Sequence, residues 1–291
     1  MMSRALEIAL DNLTLWREAT AQTRELRCLQ AHRIGCEIHT QEDAERALRA
    51  LWRKEDPLAQ EEEIQEKIAF LRGILQTHAK EKVWNAIPLP PLSPAPVAPR
   101  VVFLDSAFGR EALKHFENIL PHSLPVTAPS FTAVCEELAG GRADFALLPL
   151  EDSREGKLLH LYEEIDRFEL HITHSCEVSY TDEGRSVLMA LLSRHYLPTA
   201  KASGERLLAL AVLEESSPAL CDLLIAAKNC ALTLRRIDTP PTSYGENISI
   251  YHPLFCAPNE EAELLFLFYL AVFLPNARAT ARYIHLKENF I

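Results

Sequence analysis

Glycine is scarce in this sequence, with nine among 291 residues, and neither a G-x-G-x-x-G nor a Walker sequence occurs. A phosphate cradle made from the backbone of a glycine-rich loop is thereby excluded. Paired cysteines are missing too: Cys28, Cys36, Cys135, Cys176, Cys221, Cys230 and Cys256 never fall into C-x-x-C spacing. An odd number scattered over a chain this long reads as reduced thiols packed as small hydrophobes, not as a disulfide frame or a zinc cage. Positive charge is in deficit, with 30 Lys and Arg against 41 Asp and Glu, a net of −11. No basic stripe is concentrated anywhere, so nucleic acid is excluded as a partner. The longest apolar run, Leu264–Leu274 with Tyr269 inside it, falls short of the roughly 18 residues of a membrane span. The opening MMSRALEIALDNLTLW carries acids within its apolar stretch and no small-residue cleavage site after it. A cytoplasmic protein without membrane attachment is expected. Of the eleven histidines only His171 and His174 stand in His-x-x-His spacing, within an expected strand, so neither a metal nor a cofactor is expected.

What is present divides into three parts. Ser3–Asn85 carries helical patterning: Leu6, Leu10, Leu13, Leu26 and Leu29 recur at three- and four-residue steps among charged residues. The first helix pauses near Gly35, and Thr40 followed by Gln-Glu-Asp suits an N-cap with acids in the first turn. Asp56-Pro57 is expected to end this second helix. A third runs from about Leu58 to Lys82, with Ile64, Ile68, Leu71, Ile74 and Leu75 on one face. Trp16, Trp52 and Trp84 read as core or interface anchors. Between Pro88 and Pro99 six prolines in twelve residues predict an extended, semi-rigid spacer.

Beyond the spacer, VVFLD (101–105) opens an α/β layer of strand, helix, helix, strand, helix, strand. Its parts are helices over 109–120, 130–141 and 157–167, the strands DFALLPL and FELHITHSCEV, and a closing strand SVLMALLS. From Arg206 onward the pattern is strand, helix with proline in its first turn, two strands, the apolar helix EEAELLFLFYLAVFL, and a last strand. That is βαββαβ, the ferredoxin-like order. The apolar helix should be core together with a dimer surface, since hydrophobicity on all sides signals deep burial.

The stretch LALAVLEESSPALCDLLIAAKNCALTLRRIDTPPT is similar to the regulatory ACT domain that ends prephenate dehydratases. The resemblance implies ligand-binding roles for Ser217, Pro218, Ala219 and Leu220 and for Asp238 and Thr239. Pro218 replaces the family's glycine, removing a backbone N–H that could face a ligand carboxylate, and Pro240 replaces its arginine. Upstream, VVFLDSAFGREALKHF and SFTAVCEELAGGRADFALLPLEDSREG resemble the dehydratase domain, whose Pro-Ile-Glu-Asn-Ser signature is matched at Glu151 and Ser153, with Asp152 in place of the asparagine. These three are the implied dehydratase residues. Read without the resemblance, they would cap the following helix. In the family a whole second lobe precedes the Thr-Arg-Phe strand with its catalytic threonine. Here Thr181-Asp182-Glu183 leads at once into Gly184-Arg185-Ser186, with Gly184 where the threonine should stand.

The N-terminal helices resemble the all-helical chorismate mutases fused to dehydratases, which form dimers around long first helices and bind a dianion with cations. The resemblance implies mutase roles for Arg24, Glu45 and Gln76, while Ala44 stands in place of an arginine and no lysine lies between Arg24 and Lys54. Without it, these are solvated helix-face residues.

The expected fold is therefore α+β and multidomain. A chorismate-mutase-like helical domain (1–87) and the Pro-rich linker (88–99) come first. A single-lobe, periplasmic-binding-protein-like dehydratase domain (100–196) and an ACT-like βαββαβ domain (205–291) follow. The expected function is a divergent member of the bifunctional mutase/dehydratase family of phenylalanine biosynthesis. It would be impaired in catalysis and would act as a homodimeric sensor of an aromatic amino acid or a prephenate- or chorismate-like molecule. The alternative is an active mutase or dehydratase.

Overall fold

A computed structural model describes residues 4–52, 60–78, 97–180, 184–195, 204–214, 219–239 and 249–286. The three expected helices are α1 (Arg4–Cys36), α2 (Gln41–Leu51) and α3 (Gln60–His78). Thr40 caps α2 as its position demands, its hydroxyl accepting from the Asp43 N–H. Helix α2 ends at Leu51, earlier than Asp56-Pro57 would require; 53–59 and the expected spacer as far as residue 96 lie outside the described residues.

Ion pairs Arg24–Glu62 (2.7 Å) and Arg27–Glu66 (2.6 Å) advance together along α1 and α3, so the two helices run parallel. They meet at two glycines: a Cβ on Gly35 would lie 2.1 Å from the Phe70 carbonyl oxygen, and one on Gly73 would lie 2.2 Å from that of His32. Only glycine permits so close a backbone approach.

The α/β layer comprises β1 (Arg100–Leu104), α4 (Ala107–Phe116), β2 (Leu124–Ala128), α5 (Phe131–Ala139), β3 (Phe145–Asp152), the two-residue β4 (Gly156–Lys157), α6 (Leu159–Arg167), β5 (His171–Tyr180) and β6 (Arg185–Ser193). Strand β2 is absent from the sequence-based expectation. It carries Pro125, shows no alternation and forms an edge, where proline is tolerated. Likewise α6 starts at Leu159, two residues later than expected, because Lys157 is taken into the β3–β4 pair. Strands β5 and β6 form an antiparallel pair from His171↔Ser193 to Tyr180↔Arg185. The chain thus turns back after four residues, where the resemblance would place a second lobe.

The remainder is β7 (Gly204–Glu214), α7 (Ala219–Asn229), β8 (Thr233–Asp238), β9 (Ser249–Ala257), α8 (Glu260–Phe273) and β10 (Ala277–Leu286). Its strands lie in the order β10-β7-β9-β8, all antiparallel, which is the ferredoxin-like arrangement. The two sheets are joined. Strand β10 pairs in parallel with β5 through Ile284↔His174, His285↔Ser175 and Leu286↔Cys176, giving one ten-stranded sheet, β2-β1-β3-β6-β5-β10-β7-β9-β8 with β4 beside β3.

This sheet is strongly curled. Six inter-strand steps separate β3 from β8, roughly 29 Å if the sheet were flat. Yet Glu151 of β3 and Arg236 of β8 are hydrogen-bonded at 2.8 Å. Right-handed twist brings β3 and β8 together around α6, whose Ile165 shares a core with Leu148, Leu192, Leu207 and Tyr283. On the other face α4 covers Phe103, Leu147 and Met189.

Helix α8 is apolar all round because it is sandwiched. The sheet lies on one side, and α3 lies on the other in the same chain, with Phe70, Leu71 and Ile74 in one core with Phe266 and Phe268. Trp52 sits edge-on to Phe70 and Phe273, at 5.6 and 5.9 Å. Half-buried, it packs against the core, as an anchor would; the Trp16 side chain and Trp84 lie outside the described residues.

Candidate functional site

A cavity of about 370 Å³ opens at the carboxyl ends of β1 and β3, from which the chain leads to α4 and, through β4, to α6, on opposite faces of the sheet. Open α/β sheets bind ligands in such crevices. One wall is the β1–α4 junction, with Phe103, Leu104, Ser106 and Phe108. Leu147, Pro149, Val187 and Met189 form the floor. The opposite wall comes from Phe131 at the start of α5 and from Leu158 and His160 at the start of α6. A rim therefore exists on two sides although β5 and β6 carry no second lobe between them. Ser106 caps α4 by accepting from the Gly109 N–H at 3.0 Å, and a Cβ on Gly109 would lie 2.7 Å from the Leu104 oxygen. Helix and strand end are thereby held close.

The charged groups of the cavity are Asp152, Arg185 and Glu155. Asp152, 5% exposed, accepts from Arg185 Nε at 2.8 Å and from the Arg154 backbone N–H at 2.8 Å. The Arg185 guanidinium, and after it the Arg154 N–H, hold this carboxyl below the usual range. Arg185 also lies over the Phe108 ring, 5.3 Å from its centroid. Asp152 does not cap the next helix, contrary to the plain reading of Glu151–Ser153. The N-cap of α6 is Leu158, which makes no side-chain capping bond.

The two neighbours of Asp152 are engaged elsewhere. Ser153 extends the β3–β6 pairing: its N–H donates to the Ser186 carbonyl (2.9 Å), and its hydroxyl accepts from the Ser186 N–H (3.0 Å). Glu151 points to the other face, as alternation requires, and makes a two-pronged ion pair with Arg236. That bond, ahead of the opposing cost of burial, drives the Arg236 pKa above its ordinary value. Asp238 joins the group through Lys157 Nζ (3.1 Å) and Arg236 Nε (3.3 Å), and Lys157 lies 4.7 Å from the centre of the Tyr162 ring. Burial, with Glu151 nearby, pushes the Tyr162 hydroxyl up.

The other residues singled out in the sequence do not converge on the cavity. Thr239 is exposed at the end of β8, and Leu220 is half-buried on α7. Ser217, Pro218 and the Ala219 side chain lie outside the described residues. Arg24 is held by Glu62, Glu45 accepts from Gln41 (3.0 Å), and Gln76 Oε1 lies 2.8 Å from His32 Nε2. Glu62 and Gln76 are fourteen residues apart on α3, roughly 21 Å, so one chain does not bring Arg24 and Gln76 together.

Neither Phe108 nor Arg236 carries a motif or spacing that assigns it a role. Arg236 was detectable only as a charge that breaks the alternation of its strand. Among the described residues no group of His, Cys, Asp and Glu could hold a metal, and no helix is long and apolar enough to cross a membrane. Burial pushes the thiols of Cys135, Cys176 and Cys230 up, to about 11, 12 and 12, which makes them poor nucleophiles.

No family model matches the chain, and no curated protein matches its sequence. Among solved structures it is similar to a prephenate dehydratase from Streptococcus mutans, at 16% identity and TM-score 0.51, covering 65% of this chain and 100% of that one. A prephenate dehydratase from Arthrobacter aurescens in complex with L-Phe matches at 16% identity and TM-score 0.47, covering 64% and 90%. The quorum-quenching acylase GqqA matches at 14% and 0.47, covering 64% and 94%. At such identities the likeness concerns fold: a mixed α/β architecture similar to that of prephenate dehydratase.

Proposed function

We infer that this chain is a divergent, prephenate dehydratase-like protein of phenylalanine metabolism that senses a small molecule instead of turning it over. The state of Asp152 carries the reading. Dehydration needs an acid that protonates the leaving hydroxyl. The buried carboxyl of this cavity is held ionised by Arg185 and the Arg154 N–H, so it has no proton to give at neutral pH. Glu151 faces away, and Ser153 is part of the strand pairing. Only four residues separate β5 from β6, which leaves no second lobe there to wall the cavity off from water. An apolar cavity of about 370 Å³ remains, within the range that holds small ligands. Leu26 and Leu29, 61% and 55% exposed on α1, support assembly as a homodimer along that helix.

Purified protein incubated with prephenate should form no phenylpyruvate, while an aromatic ligand should raise its melting temperature by mass action. Robust phenylpyruvate formation overturns the reading. The alternative, a working mutase or dehydratase, draws on the survival of the cavity and on the hydroxyl and imidazole of Ser106 and His160 at its edge. Chorismate consumption that is lost on Arg24→Ala would favour the mutase half of that alternative.

A further inference from the structure

We propose that Arg236 and Asp238 on β8 form, with Glu151 and Lys157 on the β3–β4 tip, an electrostatic latch through which the ferredoxin-like unit sets the state of the cavity. The role of the cavity rests on the small-molecule reading above; the latch itself does not.

The geometry is a two-by-two match. Glu151 and Lys157 are partners in the β3–β4 pairing and so present one acid and one base side by side on a single face. Arg236 and Asp238 stand two apart on β8 and so share a face as well. They meet crosswise, Arg236 on Glu151 and Asp238 on Lys157 at 3.1 Å, with Arg236 and Asp238 themselves 3.3 Å apart. Each acid thus faces a base of the other element, which defines the closed position.

The latch bridges two bodies that are otherwise joined through a short strand seam and the core around α6. Strands β10 and β5 pair over only three residues, whereas β10 and β7 pair over nine. A short parallel seam in the middle of the curled sheet and a charge contact where β3 and β8 meet make a hinge and its clasp. α6 lies between them. The clasp reaches the cavity through one peptide bond: Glu151 holds β8, and the next residue, Asp152, projects to the opposite face and holds Arg185 at the cavity wall. The ladder between β3 and β6 is already irregular between Pro149 and Glu151, so the tip can bend there without breaking the rest of the strand. Opening the latch frees the tip, and with it Asp152. Because the four side chains are between 23% and 37% exposed, the latch is open to screening by salt.

The test is hydrogen exchange measured by mass spectrometry on the full chain. Wild type is compared with Arg236→Ala, Arg236→Lys and, as a control, Arg235→Ala, whose partner is the separate Glu205. The expected result for Arg236→Ala is at least tenfold faster exchange over 151–167 and over the β5–β10 seam, with α1, α3 and α5 unchanged. Arg236→Lys should fall between Ala and wild type, and Arg235→Ala should match wild type. Raising NaCl from 50 mM to 1 M should reproduce the effect in wild type and add nothing in Arg236→Ala. Unchanged exchange over 151–167, or acceleration spread evenly over the chain, overturns the proposal. A calorimetric arm with L-phenylalanine and with prephenate separates the two readings. Absence of binding to wild type defeats the small-molecule role and leaves the exchange data to decide the latch. Binding to wild type that is equally tight in Arg236→Ala defeats the coupling.

Discussion

Glu263 offers the sharpest test of how the ferredoxin-like unit is held. It lies in the first turn of α8, 1% exposed, between Arg282 Nε at 2.7 Å and Arg206 Nη1 at 3.2 Å. The two arginines come from neighbouring strands, β10 and β7, and turn the same face toward the helix. Three charges leave water together, and the arrangement is tolerable only while the carboxylate is present. Removing one partner of such a group leaves uncompensated buried charge, at a cost of about 3–5 kcal/mol. Its place at a helix N-terminus, where a negative charge is favoured, adds to the loss. Glu263→Ala should therefore lower the thermal midpoint by roughly 6–20 °C, taking 2–4 °C per kcal/mol for a domain of 150–250 residues. The companion is the triple change Glu263→Met, Arg206→Met, Arg282→Leu, which removes all three charges and should be close to neutral. Scanning calorimetry on the three proteins decides. A loss below about 1 kcal/mol for Glu263→Ala would refute the claim that the acid compensates the two arginines.

Burial alone lowers the His174 pKa to about 4. Its unfolded value is about 6.5, so stability is complete above that pH and declines as the pH falls toward 4, where the folded form protonates as well. Urea midpoints should show about 2 kcal/mol lost between pH 7 and pH 5, and His174→Leu should flatten this limb; an equal loss in the variant refutes the assignment. Gly35→Ala sets propensity against space. Alanine favours a helix by about 1 kcal/mol, but its Cβ would strike the Phe70 carbonyl oxygen at 2.1 Å, an overpacking cost of up to about 3 kcal/mol, so circular dichroism melts should show a net loss of about 2 kcal/mol. Asp152→Asn removes the charge opposite Arg185; prephenate turnover should stay absent while the melting temperature falls, and a gain in turnover would show the ionised acid to have been the obstacle.

The local chemistry of the sequence determined most of the elements. Leucines at helical steps, Thr40 and Ser130 at N-caps, and the strand–helix alternation after Arg206 are short-range signals, and each led to an element at nearly the expected place. The two-residue β4 and the edge strand β2 escaped because neither leaves a repeating pattern. Tertiary structure alone decided which segments meet. The pairing of β10 with β5 joins residues more than a hundred positions apart, and nothing in either strand names its partner. The same holds for α8: its uniform apolarity announced burial on both sides, but only the position of α3 shows what covers the outer face. Glu151 and Asp152 were legible as a pair of acids. That one clasps Arg236 across a curled sheet while the other holds Arg185 beside a cavity follows from twist, because curvature over six strand spacings is a property of the whole sheet and of no single residue in it.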